Sequence, residues 1–207
     1  MTERQSSRLR ILHVAVKILD QHGDPQLRIS DVCKKAKVTA PSIYHFFGSR
    51  EGLIDAAHAF LFTQGQTELG EAFGEATYAC TSKSGFAAIA DRFARAAFSD
   101  ARRHVRSRRA SVLGRAQNSK TLRKELNTFQ NESNKLIGDP LRFAQAKGWV
   151  RSDFDTEMFA ACFVGMTTAR CFFEFDEAHP KAARWDSIAI RAVFLVLGLN
   201  PPASKRS

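Results

Sequence analysis

Residues 30–50 contain a dense group of side chains that could hydrogen-bond to phosphates and to the edges of bases. Hydroxyls, an imidazole, a phenol and cationic groups make such contacts in proteins, and small side chains let a helix approach a groove closely. The chemistry indicated is binding of nucleic acid. The candidates are Ser30, Lys37, Thr39, Ala40, Pro41, Ser42, Tyr44, His45 and Arg50.

Two short helices are predicted to position these side chains. Ser30 can act as the N-cap of the first helix, because its hydroxyl can accept from a first-turn amide. The buried stripe of this helix has the spacing i, i+3, i+4 and i+7 and comprises Ile29, Val32, Cys33 and Ala36. For the second helix the sequence predicts an N-cap at Thr39, Pro41 in the first turn and an end at Gly48.

The second helix is predicted to be amphipathic. Its inner, apolar face holds Ala40, Ile43, Phe46 and Phe47. Its outer face is small and polar, which suits a helix that enters a DNA groove. That face holds Pro41, Ser42 and His45, with Tyr44 on the flank.

The segment resembles the DNA-binding domain of TetR/AcrR-type transcriptional regulators. The resemblance rests on Ile29-Ser30-Asp31-Val32, Ala36, Val38-Thr39 and the run from Ser42 to Leu53. It implies that the phosphate backbone is contacted by Thr39, Tyr44 and His45. It also implies that Arg50 takes the place of the usual lysine at the head of the fourth helix, and that the bases face Ala40, Pro41 and Ser42.

Lys37 departs from this family pattern, which usually has glycine in the turn. If φ is positive at this position, a lysine costs about 1 kcal/mol or more. Its ammonium group could offset part of that cost by reaching a phosphate.

Charge supports a polyanionic partner. The 207 residues carry a formal net charge of +10, and such a balance favours nucleic acid, an anionic ligand or a membrane surface. Residues 1–50 alone hold nine Lys or Arg and four Asp or Glu, a net charge of +5. Neutralising phosphates with these side chains would release counterions and strengthen binding.

The whole chain is predicted to be all-helical, with about nine helices and no strand. Residues 1–50 form a three-helix DNA-binding domain with its helix-turn-helix at about 29–48, and residues 51–207 form a second helical domain. Residues 1–7 are predicted to be a disordered arm and 77–84 a loop ending in a cap at Ser84. A break is predicted at Gly138-Asp139-Pro140, and Asp155 is predicted to cap a helix that runs to about Glu177.

The family resemblance is weak beyond residue 55, but in the family this region binds an effector and dimerises. A Phe-rich face with one arginine could line a pocket for an acidic ligand. The candidates are Phe93, Phe129, Phe163, Met166 and Arg170. The alternatives are that the Phe side chains are ordinary core and that Arg170 pairs with Glu174 or is simply exposed.

Two later helices offer a dimer interface, because small side chains allow close packing across a two-fold axis. The candidates are Ala161, Gly165, Thr168, Ala169, Phe172, Ile188, Ala192, Val193 and Val196. The alternative is that these residues pack inside one subunit.

Residues 102–109 contain five arginines. A dense charge run is usually a solvated face. Two other interpretations stay open: it binds an anionic head group, such as that of a nucleotide or an acyl-thioester carrier, or it attracts DNA over a distance.

Other chemistry has little support in the sequence. The histidines show no metal-binding spacing, no phosphate-binding glycine loop is visible, and four dispersed cysteines predict buried, reduced thiols. We therefore expect no metal, no cofactor and no enzyme. No secretory signal or membrane span is visible, so we expect a cytoplasmic protein without a membrane partner.

The sequence thus predicts a regulator that binds a palindromic double-stranded operator as a homodimer and is released by an unknown small-molecule effector. Repression rather than activation is implied by the family alone. One alternative is a basic helical protein that binds nucleic acid without sequence preference. The other is a helical enzyme, for which Asp153, Asp155 and Glu157 are too close to a helix start to be persuasive.

Overall fold

The computed structural model describes residues 3–175 and 181–200, except for the side chains of residues 3–5 and 63–66. These residues form nine α-helices and no strand, which confirms the predicted all-helical class. The helices are α1 (Glu3–His22), α2 (Ile29–Ala36), α3 (Ala40–Phe47), α4 (Arg50–Tyr78), α5 (Lys83–Phe98), α6 (Arg103–Ala116), α7 (Lys120–Ala146), α8 (Thr156–Ala169) and α9 (Ala182–Leu197). Short 3₁₀ turns cover Asp24–Gln26, Asp100–Arg102 and Arg170–Phe173.

The chain divides into two compact units. The first unit comprises the residues up to Gln64 together with Val112–Asn127, and the second comprises Gly65–Ser111 together with the residues from Thr128 onward. This division differs from the predicted boundary at residue 50, because the N-terminal part of α4 and a later segment both belong to the first unit. The functions predicted for the two domains stay predictions.

The first unit is built on one apolar core. Helices α1, α2, α3, the start of α4 and the turn at Leu27 contribute side chains that are almost fully shielded from solvent. The largest are Ile11, Leu27, Ile43, Leu53 and Ile54. Burying an aliphatic side chain of this size contributes about 1.5–3 kcal/mol, so this core fixes the faces that α2 and α3 turn to solvent. On the predicted apolar faces of α2 and α3, Val32, Ala36 and Ile43 are buried and the other residues are half-buried.

The second unit has a larger, aromatic core. Phe86 packs near Trp149, and Phe163 stacks on Phe93 with ring centroids 5.2 Å apart. Helices α5, α7, α8 and α9 supply most of the other buried side chains, among them Phe98, Leu141, Ala160, Phe194 and Leu197.

Several predicted boundaries were wrong. Helix α1 already begins at Glu3, so residues 3–7 are not a disordered arm, and residues 1–2 lie outside the described part. Helix α4 continues to Tyr78 and shortens the predicted loop. The cap of α5 is Ser82 rather than Ser84, because the Ser82 hydroxyl accepts from the Gly85 amide at 3.1 Å.

In the second unit, the predicted helix break at Pro140 and the predicted end of the helix capped by Asp155 differ from the observed structure. Helix α7 passes through Pro140 without ending, since proline removes one hydrogen bond and the flanking turns keep theirs. Asp155 caps α8 as predicted, accepting from the amides of Glu157 and Met158 at 2.8 and 3.0 Å. Helix α8 ends at Ala169 and a 3₁₀ turn follows, whereas the predicted end at Glu177 lies outside the described residues.

Candidate nucleic-acid interface and second-unit cavity

Helix α2 begins at Ile29, two residues earlier than a cap at Ser30 would give. Its N-cap is Arg28, in an extended conformation (φ −103°, ψ 133°), and the Arg28 carbonyl accepts from the amides of Asp31 and Val32 at 3.1 and 3.2 Å. The prediction that Ser30 is the cap was therefore wrong. Ser30 lies in the first turn and is exposed, where it can still meet a ligand.

The turn after α2 is left-handed at Lys37, with φ 54° and ψ 51°. Among the described residues, Lys37 alone combines a positive φ with a side chain other than that of glycine. The amides of Lys37 and Val38 both donate to the Cys33 carbonyl. Nε of Arg10 donates to the Ala36 carbonyl at 3.2 Å, which satisfies an end carbonyl of α2. The strain anticipated for lysine is thus present, and its ammonium group is exposed.

Helix α3 has the predicted start. Thr39 is its N-cap in an extended conformation (φ −93°, ψ 157°), and its carbonyl accepts from the amides of Ser42 and Ile43 at 3.1 and 3.4 Å. The Thr39 and Ser42 hydroxyls hydrogen-bond to each other at 3.0 Å. This pairing holds two candidate DNA-contacting groups together on the first turn.

The outer face of α3 is open to solvent. Ile43 is fully buried beneath it, whereas Thr39, Pro41, Tyr44 and His45 are exposed. The two remaining members of the predicted surface, Ala40 and Ser42, are half-buried. The candidates therefore share one accessible surface; their contact with DNA stays a prediction.

Arg50 is fixed by hydrogen bonds within the chain that the sequence did not predict. Gly48 ends α3 with φ 74°, and the Ser49 hydroxyl caps α4 by accepting from the Gly52 amide at 3.0 Å. The Arg50 guanidinium donates through Nε to the Leu27 carbonyl at 2.8 Å and through Nη2 to the Asp24 carbonyl at 2.7 Å. These bonds let a cation stand at the head of a helix, where the helix dipole opposes it.

A second arginine, which the sequence analysis missed, organises the same unit. Arg115 donates to Asp24, Glu51 and Asp55 at 2.8, 2.9 and 2.7 Å. Burial alone would lower the pKa of Arg115, but its hydrogen bonds to the Asp55 and Glu51 carboxylates raise that pKa above its usual value. No local spacing could reveal this cluster, since Arg115 lies 60 residues from Asp55 in sequence.

The second unit contains a small cavity with aromatic and cationic walls. Its volume is about 40 Å³. Of the predicted ligand-binding residues, Phe93 and Phe163 line it, whereas Phe129, Met166 and Arg170 do not. The remaining walls are formed by Leu69, Gly70, Ala97, Arg102, Val105, Arg106, Arg109, Ser133, Ile137, Val164 and Thr167.

Arg170 belongs to a buried ion-pair network instead. It donates to Asp186 at 2.7 Å and to Asp100 at 2.8 Å, and it pairs with Glu174. Its charge is already compensated inside the chain, and the pairing with Glu174 is one of the alternatives that the sequence left open. Its role as a ligand-binding residue stays a prediction. Arg106, on α6, donates to the same Glu174 carboxylate.

The basic run of residues 102–109 is only partly a solvated face. Arg106 is 1% exposed and Arg109 is 6% exposed. Each lies among residues of the second unit that are distant in sequence, such as Glu174 and Thr167. The run therefore supplies side chains to the interior as well as to the surface.

The predicted dimer residues fall into two groups. Gly165, Phe172, Ile188 and Val196 are exposed, and Ala161, Thr168, Ala169 and Ala192 are half-buried. Val193 is 4% exposed and belongs to the core of the second unit. Val193 lies on the side of α9 that carries the buried residues Ala189, Ile190 and Leu197, and its assignment to an interface stays a prediction.

Within residues 3–175 and 181–200, no group of three or more His, Cys, Asp or Glu side chains is placed to hold a metal ion. None of the described helices is both long enough and apolar enough to cross a membrane. The cysteines form no disulfide; Cys171 is buried, whereas Cys162 is exposed, contrary to expectation.

An exposed α3 that follows a tight turn, above a three-helix core, defines a helix-turn-helix protein. Residues 11–57 match the family described as bacterial regulatory proteins of the tetR family. The match covers the N-terminal helix-turn-helix domain of the chain.

Known proteins resemble the chain at two levels. The HTH-type transcriptional regulator UidR of Escherichia coli K12 is 36% identical over 55 residues, which are 27% of this chain and 28% of UidR. The match thus spans little more than a quarter of that relative.

Two solved structures share the fold of nearly the whole chain. Salmonella enterica GusR has a TM-score of 0.65 and 19% identity and covers 96% of this chain and 98% of its own. Bacillus subtilis FadR in complex with stearoyl-CoA has a TM-score of 0.56 and 16% identity, with coverage of 93% and 99%. At these identities the likeness establishes the fold.

Proposed function

We propose that this protein is a sequence-specific DNA-binding transcriptional regulator. The observation that carries the proposal is the outer face of α3, where Thr39, Pro41, Tyr44 and His45 are exposed above a fully buried Ile43. A helix anchored in this way can enter a major groove without losing its own core. The match to the tetR family covers residues 11–57, which include α3; this supports DNA binding and leaves the target open.

The direct test is selection of bound DNA from a random library. We expect an enriched palindrome whose half-sites are about one helical turn, roughly 34–36 Å, apart, because a symmetric dimer presents two recognition helices. Recovery of sequences with no common element would support the alternative, a basic protein that binds nucleic acid without sequence preference. Equal affinity for the palindrome and a scrambled duplex would do the same.

The chain offers a matched pair of variants for this test. Its two tyrosines, Tyr44 and Tyr78, are 48% and 52% exposed. Removing a hydroxyl that bonds a phosphate costs about 1.5–3 kcal/mol, roughly a tenfold or greater loss of affinity. We expect that loss for Tyr44→Phe on the selected DNA and none for Tyr78→Phe, which lies in the second unit. Equal behaviour of both variants would remove Tyr44 from the interface.

The proposed regulator acts as a homodimer through α9 and its neighbours. Helix α9 is apolar on both sides: Ile190 and Phe194 are buried, whereas Ile188 is 70% and Val196 is 42% exposed. Exposed apolar stripes of this kind are typical of interfaces. The 3₁₀ turn beside Glu174 adds the exposed Phe172.

Sedimentation at micromolar concentration tests the dimer. We expect a dimer for the native chain and for Ala183→Glu, which adds the same charge at an exposed position away from the Ile188 face. We expect a monomer for Ile188→Glu, because a carboxylate would lose its water in an apolar interface. A monomeric native chain would end the proposal of this interface.

A small-molecule effector in the second unit completes the proposed function. The fold-related FadR was solved with stearoyl-CoA, which supports the idea that such a unit can hold a ligand. Repression is the simplest mode: the effector favours a conformation that no longer fits the operator, and a coupling of about 1–3 kcal/mol makes a useful switch. The protein would act in the cytoplasm, without catalysis and without a cofactor.

A further inference from the structure

Arg109 on α6 differs from the other arginines of its unit in how its guanidinium is used. Arg106 holds Glu174 through Nε and Nη2, Arg170 holds Asp186 through Nε and Nη2 at 2.7 and 3.1 Å, and Arg151 holds Asp153 through the same edge. This edge matches the two oxygens of a carboxylate. Arg170 and Arg151 place it on both oxygens of an aspartate, whereas Arg106 places it on Oε1 of Glu174. The second unit thus uses the Nε–Nη2 edge repeatedly to bind carboxylates.

Nη1 of Arg109 holds the side chain in place. It donates to the Thr167 and Thr168 hydroxyls at 3.0 and 2.9 Å and to the Val164 carbonyl at 3.4 Å. Nε is buried without a hydrogen-bond partner. The Nε–Nη2 edge therefore meets no carboxylate among the described residues, although the side chain is 6% exposed.

The cavity that Arg109 lines is cationic and contains no carboxylate from the described residues. Arg109 lines it together with Arg102 and Arg106, and no aspartate or glutamate is part of the lining. Burial, followed by the neighbouring charges of Arg102 and Arg106, lowers the pKa of Arg109 to about 10. The guanidinium is still charged at neutral pH, and the Arg106 charge is already compensated by Glu174.

The rest of the cavity wall is apolar. Phe93 and Phe163 stack beside it, and Ala97, Ile137 and Val164 contribute aliphatic groups. The cavity volume of about 40 Å³ is near that of one small polar group, whereas pockets for whole ligands have about 300–1,000 Å³. A carboxylate fits as the structure stands, and a hydrocarbon chain would enter by moving the Phe side chains.

We propose that this cavity is the effector site and that it selects a monocarboxylate with an apolar chain, bound through the Nε–Nη2 edge of Arg109. The hydrocarbon then lies between Phe93 and Phe163. The proposal rests on the proposed function only in treating the second unit as the effector unit, and binding can be measured without DNA.

The test uses the full chain and straight-chain carboxylates from butyrate to octanoate, each paired with its neutral amide. Isothermal titration at pH 7 measures affinity for the native chain, for Arg109→Met and for Arg108→Met. The last variant removes the same charge from the neighbouring residue, which does not line the cavity. We expect at least one carboxylate to bind 10-fold or more tightly than its amide, a loss of 10-fold or more in Arg109→Met, and native affinity in Arg108→Met.

Each outcome decides the proposal. It is overturned if no carboxylate in the series binds, if acid and amide bind equally, or if Arg109→Met keeps native affinity. An equal loss in both variants would indicate a general charge effect and would also overturn it. Octanoate binding that leaves DNA affinity unchanged would keep the site and refute its role as an effector site, whereas failure to bind DNA at all would refute the proposed function alone.

Discussion

Replacing Arg109 by methionine should not destabilise the ligand-free protein, although Arg109 is buried. The fall in its pKa to about 10 corresponds to about 3 kcal/mol by which the fold disfavours the charged guanidinium, at about 1.4 kcal/mol per pKa unit. Methionine fills a similar length with apolar atoms. The Thr167 and Thr168 hydroxyls keep the Val164 carbonyl as acceptor, each at 2.8 Å.

Arg106 provides the matched comparison on the same helix. It is 1% exposed, pairs with Glu174, and donates to the Ala97 and Ser99 carbonyls at 3.1 and 3.0 Å. Arg106→Met would leave those groups short of donors. Breaking a buried ion pair on one side costs about 3–5 kcal/mol.

The assay is urea unfolding followed by circular dichroism at pH 7 without added ligand. We expect the free energy of unfolding of Arg109→Met to equal the native value or to exceed it by up to about 3 kcal/mol, and that of Arg106→Met to fall by about 3 kcal/mol or more. If Arg109→Met loses as much stability as Arg106→Met, then Arg109 is a structural residue, and the reasoning that sets it apart is wrong. A variant that is more stable but no longer binds carboxylates would show that Arg109 lowers the free energy of unfolding in exchange for binding.

Three further outcomes follow from the same contacts. Lys37→Gly should raise the free energy of unfolding by about 0.5–1 kcal/mol, because relief of the left-handed strain at φ 54° outweighs the added freedom of the unfolded chain; a fall measured in urea would contradict this. Asp55→Asn should lower it by about 1–3 kcal/mol, since Asp55 is the buried acceptor for Arg115 and the Ser119 hydroxyl, whereas Asp153→Asn, at an exposed pair, should change it little. Octanoate affinity should be flat from pH 6 to 8 and fall above about pH 10 as Arg109 loses its proton; an affinity that drops between pH 6 and 8 would assign the charge to another group.

Local signals were sufficient for the helix-turn-helix. Pro41 in the first turn, the cap at Thr39 and the glycine at position 48 act within a few residues of the helix they delimit, so the sequence predicts α3 with its observed bounds. The start of α2 was missed because both Arg28 and Ser30 can adopt the extended conformation of a cap. Burial of Leu27 in the core, a tertiary effect, favours the earlier start.

The second unit shows why charge runs are hard to interpret from sequence. Five arginines within eight residues are typical of a solvated face, yet the partner of Arg106 is Glu174, 68 residues away. Pairing over such a separation has no local pattern. The same limit explains Arg170, whose charge is compensated by Asp100, 70 residues earlier. The positions of aromatic residues were easier to predict, because large apolar side chains pack between helices, as Phe93 and Phe163 do.

The formal charge of +10 overstates the cationic surface that DNA can meet. Arg106 and Arg109 are buried, and Arg115 is held by three carboxylates, whereas Lys37 is exposed beside α3. We therefore expect Lys37→Gln to reduce the slope of log affinity against log salt by up to about 0.9, the value for one phosphate contact. Arg109→Met removes the same charge and should leave the slope unchanged. An equal reduction in both variants would mean that the buried guanidinium acts on DNA over a distance, and the division of charge between surface and interior would then be wrong.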